Sequence, residues 1–514
     1  MPALATVSGP LPKLGVIVVS LLVAGVLLAR EPRGRALATL AALILAPVLL
    51  AAELWHSPQL SIVHRHSLYA VVGIVVGIAI LLGLARLLTP RRALVAPLAV
   101  FALPFRVPIQ SGGTTSNLLV PLYLVVAVGC LAWMIPVLRD EVREPLVADG
   151  SGGWAVRVER LLALVIVLYG IQSAYSSDFE KALQQMVFFY VPFALLYRLV
   201  RDLSWDRTMV TRCLRLLAVL AIAFAAIGFV EYATKTIILN PKLVVANDLH
   251  TYFTVNSVFF DPDIFGRFLA LTMVLLAVLL IYDRDQREQT GVIVVLAVLW
   301  AGLVLTLSRS SLGALLVGLG VLAALRWRPG RALVIALAVV LLGAVAVAAS
   351  PRTFGLNQGI NGASSGRGGL VSGGITLFGQ RPLYGYGSGS FVTEYRRAHR
   401  RTATTLSASH TIPVTIAAEQ GIIGELAYIA LVVCALVCLL RRARGDPVRS
   451  AVAAAFTALV FHTMLYADFL EDPVTWVLLG AGVALAVALP GGTLPPSPDL
   501  GRSRRPRPGA ALEG

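Results

Sequence analysis

Apolar runs of membrane-spanning length alternate with short polar joints along nearly the whole chain. A helix needs about 20 apolar residues to cross the hydrocarbon core of a bilayer. The runs show none of the period-two alternation that would mark strands. Spans begin near Leu14, Ala36, Leu68, Leu94, Leu118, Leu161, Gln185, Cys213, Ile264, Gly291, Leu312, Ala332, Ile412, Ser450 and Pro473. The pattern predicts an all-α, polytopic integral membrane protein with about 12–15 transmembrane helices and one large extracytoplasmic loop containing short helices. In this reading a transmembrane helical bundle with short loops occupies 1–349 and a Gly/Arg-rich loop occupies 350–411. C-terminal transmembrane helices follow over 412–490, then a disordered cytoplasmic tail over 491–514 that is rich in Pro, Gly and Arg. The first run is followed by Arg30, Arg33 and Arg35, which fits a retained helix rather than a cleaved signal peptide.

The joints carry the orientation. Arg30/Arg33/Arg35, Arg86/Arg91/Arg92, Arg139/Arg143/Arg157/Arg160, Arg201/Arg207/Arg212, Arg284/Arg287, Arg326/Arg328/Arg331 and Arg441/Arg442/Arg444/Arg449 fall at alternate joints, and the tail adds Arg502/Arg504/Arg505/Arg507. Positive charge in short loops marks the cytoplasmic side. The opposite face then carries Glu53–Ser67, Phe105–Asn117, Ala174–Gln184, Glu231–Asp263, Ser308–Ser310, Ser350–Thr411 and Asp468–Asp472.

Composition agrees. Of 514 residues, 57% are hydrophobic and 14% charged, against roughly 25% charged in soluble domains. The net charge of +16 is explained by cytoplasmic anchoring arginines, and no nucleic-acid recognition motif accompanies it. Cys130, Cys213, Cys434 and Cys438 lie in or beside apolar runs without a CxxC pair, which fits small core residues rather than a disulfide frame or zinc site.

One stretch violates the charge bias. The loop before Thr411 holds Arg352, Arg367, Arg381, Arg396, Arg397, Arg400 and Arg401 on the face where arginine is sparse, with Glu394 as its acid. Guanidinium forks match phosphate oxygens, so the loop reads either as a solvated basic surface or as a cradle for a phosphate-bearing substrate. The turn Ser308–Ser311 places Arg309 at a helix N-terminus, where Ser310 or Ser311 can cap the helix and an anion can bind; the other reading is an arginine snorkelling to the interface. His410 precedes a helix that Pro413 opens, which suits a general base at the membrane lip or a satisfied interfacial histidine. Asp261 and Asp263 read either as groups that orient a base or an acceptor sugar or as ordinary helix caps, the cap being favoured for Asp261, and Arg267 reads as a further cation. No ATP-binding loop, HExxH or tight acidic cluster is present, so no cofactor and no metal are expected.

These residues resemble the O-antigen ligase and O-antigen polymerase (Wzy-type) superfamily of bacterial membrane glycosyltransferases. LTLSRSSLGALLVG resembles its helix-turn motif, with Arg309 in place. Gly366-Arg367 followed by Pro382, Gly385, Gly387, Gly389 and Phe391 resembles its loop pattern. His410 followed by Glu419, Gly421 and Gly424 resembles its His and Glu-x-Gly-x-x-Gly helix, and the Asp261 run resembles its Asn/Asp-Pro-Asn segment. Thr411 stands where the family usually has Asn, and GGLVSGG lacks the family's aromatic.

The resemblance implies an inverting, metal-independent transfer on the extracytoplasmic face of the bacterial inner membrane. The donor is a glycan on polyprenyl, typically undecaprenyl, diphosphate. The acceptor is a sugar hydroxyl, on a second lipid-linked repeat for a polysaccharide polymerase or on a lipid A core for a ligase. His410, Arg309 and Arg367 become the catalytic residues it implies. Arg267, Arg381, Asp263, Gly385, Gly387 and Glu419 become the substrate-binding ones. Partners are the lipid-linked donor, the glycan or glycolipid acceptor and membrane lipid, with a flippase or chain-length regulator alongside and no nucleic acid. The alternative from another class is a multi-helix transporter or a flippase for lipid-linked oligosaccharides. Transporters place ionisable groups near the midplane, whereas Glu231 and Glu419 lie near span ends.

Overall fold

The computed structural model describes residues 9–487 apart from 54, 56–65, 112–113, 141–152, 239–246, 248–252, 283–285, 328–329, 331–366 and 400–409. Helices dominate it. In chain order they are α1 (Pro10–Leu28), α2 (Pro32–Glu53), α3 (Ser67–Leu88), α4 (Val95–Ala102), α5 (Val120–Leu138), α6 (Trp154–Ser173), α7 (Phe179–Gln185), α8 (Val191–Arg201), α9 (Arg207–Thr234), α10 (Pro262–Tyr282), α11 (Gln286–Leu305), α12 (Arg309–Arg326), α13 (Arg367–Gln380), α14 (Phe391–Ala398), α15 (Ile412–Leu440), α16 (Pro447–Leu465) and α17 (Pro473–Val487). Among the described residues, 11 helical runs are long and apolar enough to cross a membrane. The protein is a polytopic helical bundle.

Several predicted spans take a different form. The run from Leu94 is the eight-residue α4, joined to α3 through a 3₁₀ segment at Thr89–Leu94. Pro90 and Pro97 flank its start, and the chain leaves the helix at Pro104 for a hairpin, β1 (Val107–Ser111) against β2 (Thr114–Leu118). The strands pair antiparallel with Val107 opposite Leu118 and Ser111 opposite Thr114. The charge pattern places this stretch in an outer loop; its Val, Ile and Thr residues suit strands. The span from Gln185 runs through α7, a π-helical turn at Met186–Tyr190 and α8. The span predicted from Ala332 lies outside the described residues.

The bundle core is where α10, α12 and α16 pack on one another, with α15 bridging from α16 to α6, and α6 to α1. Small residues allow the close approaches. A Cβ at Gly318 of α12 would stand 2.5 Å from Val274 of α10, and one at Gly170 of α6 would stand 2.4 Å from Ser20 of α1. Such contacts are how helices associate in lipid. Cys130, Cys213 and Cys438 are buried and Cys434 is half-buried, all with free thiols.

Like ends of the helices meet. At one end Arg33 pairs with Asp140, Arg35 with Asp202, and Arg198 and Arg201 with Glu159. Arg326 and Arg444 donate there to the carbonyls of Ile281 and Ala324. The opposite end gathers the turn before α12, the start of α10, the segments on either side of α14, and residues 466–472. The motif residues singled out in the sequence therefore share one end, away from the arginine clusters.

Candidate active site

The turn from α11 to α12 is built on hydroxyls. Thr306 donates to the Leu303 carbonyl at 2.7 Å, Leu307 takes a left-handed conformation (φ 54°), and Ser308 then caps α12 by accepting from the Ser311 N–H at 3.3 Å. The capping residue is Ser308, not Ser310 or Ser311 as the sequence suggested. Those two hydroxyls meet α16 instead, each within 3.3 Å of His462 Nε2, while staying within 3.2 Å of the Ser308 hydroxyl. The Ser308 hydroxyl donates to Asp263 Oδ1 at 2.5 Å, and Ser310 reaches the same oxygen at 3.3 Å. Asp263 sits in the first turn of α10. α10 can approach this closely because residue 266 is glycine: a Cβ there would lie 2.8 Å from Ser311 Oγ. Arg309 emerges between these buried serines with an exposed side chain, at the electropositive start of α12.

A second strand of the network leads to His410. Asp261 Oδ1 accepts from the Asp263 N–H at 2.7 Å, and its Oδ2 accepts from the Tyr466 hydroxyl at 2.8 Å. Desolvation pushes the Asp261 carboxyl above its ordinary range, Asp263 adds to this, and the Tyr466 hydroxyl opposes it. Burial likewise holds the Tyr466 phenol well up, so it stays a donor. The Tyr466 ring stands between two histidines, with its centroid 5.7 Å from His410 and 5.6 Å from His462. His410 is half-buried and adopts a left-handed backbone (φ 59°) just before the first turn of α15. This geometry turns the chain from the loop into the helix at the ring's position.

The other predicted cations are placed differently. Arg267 is 3% exposed and forms an ion pair with Asp472 at 2.9 Å. Desolvation raises the Asp472 carboxyl and Arg267 opposes that. The pair borders a cavity of about 80 Å³ that Arg106 and Phe268 also line. Arg381 is exposed, its guanidinium 4.4 Å from the Tyr386 ring centroid. Arg367 is the first residue of α13; its side chain lies outside the described residues.

Gly385, Gly387 and Glu419 form one backbone clasp. Glu419 accepts from the N–H groups of Gly389 at 2.8 Å and Phe391 at 3.0 Å, and its own carbonyl accepts from Gly387 N–H at 2.8 Å. Gly385 has φ 67°, and a Cβ there would stand 2.3 Å from the Glu419 carbonyl. Gly421 (φ 64°, ψ −164°) breaks α15 and admits the Leu383 carbonyl, 2.4 Å from where its Cβ would be. Gln172 donates to the Gln420 carbonyl at 3.1 Å, filling a bond opened at the break. The Gly-x-Gly-x-Gly and Glu-x-Gly patterns are thus two halves of one joint.

Sequence reasoning missed His462, Tyr466 and Glu471. His462 is fully buried in the last turn of an apolar helix, and an ionisable residue in such a place is itself a functional signal. Tyr466 and Glu471 carry no comparable mark in the sequence. Among the described residues, no group of three or more His, Cys, Asp or Glu side chains is arranged to hold a metal ion.

Residues 292–429 match the family described as O-Antigen ligase. The match bears out the resemblance read from the motifs. It contains Arg309, the glycine loop, His410 and Glu419, and it covers about a quarter of the chain. Asp261, Asp263, Arg267 and residues 462–472 lie outside it. No curated protein matches the chain.

Proposed function

We propose that this protein transfers a glycan from a polyprenyl (undecaprenyl) diphosphate donor to a sugar hydroxyl on the extracytoplasmic face of a bacterial inner membrane, as a surface-polysaccharide polymerase or an O-antigen ligase. The observation that carries the proposal is the linked array inside and beside the matched stretch. Arg309 starts α12 beside Ser308 and Ser310, those serines hold Asp263, and Asp261 holds Tyr466 against His410. It joins an exposed cation to an imidazole through a rigid, hydrogen-bonded frame.

In the proposed step the acceptor oxygen attacks the anomeric carbon from the face opposite the diphosphate. A new C–O glycosidic bond forms, the C–O bond to the diphosphate breaks, and the configuration inverts. His410 takes the acceptor's proton; an imidazole is suited to this near neutral pH. The departing diphosphate gathers negative charge, which Arg309, the α12 N-terminus and Arg367 stabilise. Tyr466, fixed by Asp261, sets the position of the imidazole. Asp263 orients the α12 turn through Ser308. Arg267 acts less as an open cation than as a partner of Asp472, and Glu419 holds the glycine loop. Arg381, exposed over Tyr386, stands at the loop's outer edge. No metal enters the scheme.

The test is transfer of a lipid-diphosphate-linked glycan by the purified full chain in lipid. Replacing His410 or Arg309 by Ala is expected to lower turnover by about 10²-fold or more. The variants should keep the wild-type amount in the membrane and the wild-type unfolding midpoint. Arg367→Ala is expected to behave the same way. Wild-type turnover in all three would remove the site. Offering a lipid-linked repeat and a lipid A core as alternative acceptors separates polymerase from ligase.

A further inference from the structure

We infer that the outer face of the glycine loop is a stacking platform for a pyranose ring of the acceptor glycan, formed by Tyr175 and Tyr384 with Leu383 and edged by Arg381 and Gln380. The inference rests on the glycan-transfer reading and adds an acceptor subsite to it.

The platform is an exposed aromatic patch built from distant segments. Leu383 is 63% exposed, Tyr384 53% and Tyr175 42%. Tyr175 belongs to the turn joining α6 to α7, and Tyr384 to the loop after α13. Their rings meet edge to face, with centroids 6.0 Å apart at 86°. The Tyr175 hydroxyl donates to the Tyr384 carbonyl at 2.6 Å, which ties the two segments together. On the other side the Arg381 guanidinium lies over the Tyr386 ring, whose hydroxyl donates to Gln380 Oε1 at 2.5 Å.

The backbone beneath is pinned. Gly385 N–H donates to the Arg381 carbonyl at 3.0 Å, Tyr386 N–H to the Ala418 carbonyl at 3.2 Å, and Ile422 N–H to the Pro382 carbonyl at 2.8 Å. These bonds fix the aromatic residues before any ligand arrives, which removes much of the ordering cost of binding.

The chemistry of the patch selects a sugar. A pyranose presents an apolar face of C–H groups and an equator of hydroxyls. Tyrosine rings match the face and supply large contact area with few rotatable bonds. A planar guanidinium and a carboxamide match the equator. The same loop is clasped to Glu419 on α15, the helix that His410 introduces, so one helix carries both the platform and the proposed site. Tyrosines also gather at membrane boundaries as anchors. The rim here is polar, however: Arg381 and Gln380 are exposed beside the tyrosines.

The test uses the full-length protein in lipid nanodiscs. The probe is a set of oligosaccharides released by mild hydrolysis from the source cell's own surface polysaccharide. Binding is read by calorimetry without turnover, and transfer is measured in parallel. The double variant Tyr175→Ala/Tyr384→Ala is expected to weaken oligosaccharide binding and raise the acceptor KM by about tenfold. The donor KM and kcat should stay within about twofold, and Tyr384→Phe, which keeps the ring, should match wild type. Unchanged acceptor binding in the double variant, or no binding by the wild type, overturns the platform. A lowered unfolding midpoint with an unchanged acceptor KM also overturns it and assigns the tyrosines to membrane anchoring. Binding without any transfer by the wild type would instead defeat the proposed activity and leave the platform standing.

Discussion

The two ends of the bundle handle charge in opposite ways. At the arginine-rich end, acids and guanidiniums pair off. Glu159 accepts from Arg201 at 2.9 Å and from Arg198 at 3.4 Å, Asp202 faces Arg35 and Arg198, and Arg35 also lies 4.4 Å over the Trp133 ring. At the other end, carboxylates crowd together and are answered mainly by neutral donors. Asp261 is held by Tyr466, Asp263 by Ser308, and Glu471 by Gln185. Paired ions lock helix ends. Desolvation, with a neighbouring carboxylate adding to it, raises the proton affinities of Asp261 and Glu471. The first end serves the fold; the second holds the residues to which we assign the chemistry.

Breaking the paired end should therefore cost stability and spare turnover. Arg201→Ala removes the 2.9 Å partner of the buried Glu159 and is expected to cost about 3–5 kcal/mol. Replacing Arg201 and Glu159 together by Met and Leu should recover most of that loss. Unfolding midpoints in detergent, with turnover per folded molecule, check both statements. A large loss of turnover at an unchanged midpoint would erase the distinction between the ends.

A smaller effect sharpens the other side. Glu471 is half-buried as a residue, but its carboxyl turns inward onto Gln185, and desolvation pushes it up to about 8 from an ordinary 4.5, with Asp468 adding to the rise. Between those values the folded protein holds a proton that the unfolded chain has lost. Stability should fall as pH rises through that window and level off above it. Glu471→Gln should flatten this slope in midpoints measured across the window, and a slope that persists unchanged would place its origin elsewhere. The smallest effect is expected from Ser308→Ala, which removes the α12 cap and should cost about 1 kcal/mol. Restoration by Thr, which keeps the hydroxyl that both caps α12 and meets Asp263, would identify loss of that hydroxyl as the cause.

The bundle was legible because hydrophobic length and arginine spacing are local properties. Single residues in the turns were less so. Ser310 and Ser311 satisfy the composition rule for a cap as well as Ser308 does; the difference is that α16 brings His462 to meet two of the three hydroxyls. Arg267 reads in sequence as one more cation on an anion-binding face. Only the return of the chain at Asp472, 205 residues later, shows it buried in an ion pair. Gly385, Gly387 and Glu419 stand out as a motif, but the sequence gives no sign that the glutamate's role in the fold is to hold the loop's own N–H groups.

By itself the sequence determined that the chain lies in a membrane, which helix ends share a side, and which stretch resembles a known family. Each follows from the cost of charge in hydrocarbon or from spacing within a few turns of chain. The tertiary structure alone decided which polar groups meet: His410 with Tyr466, Asp263 with Ser308, Arg267 with Asp472, Tyr175 with Tyr384. Those pairings join residues tens to hundreds of positions apart, and they depend on how closely helices pack. In this bundle a missing Cβ at Gly266 or Gly421 sets that approach, and no local rule of the sequence could say which partner would fill the space.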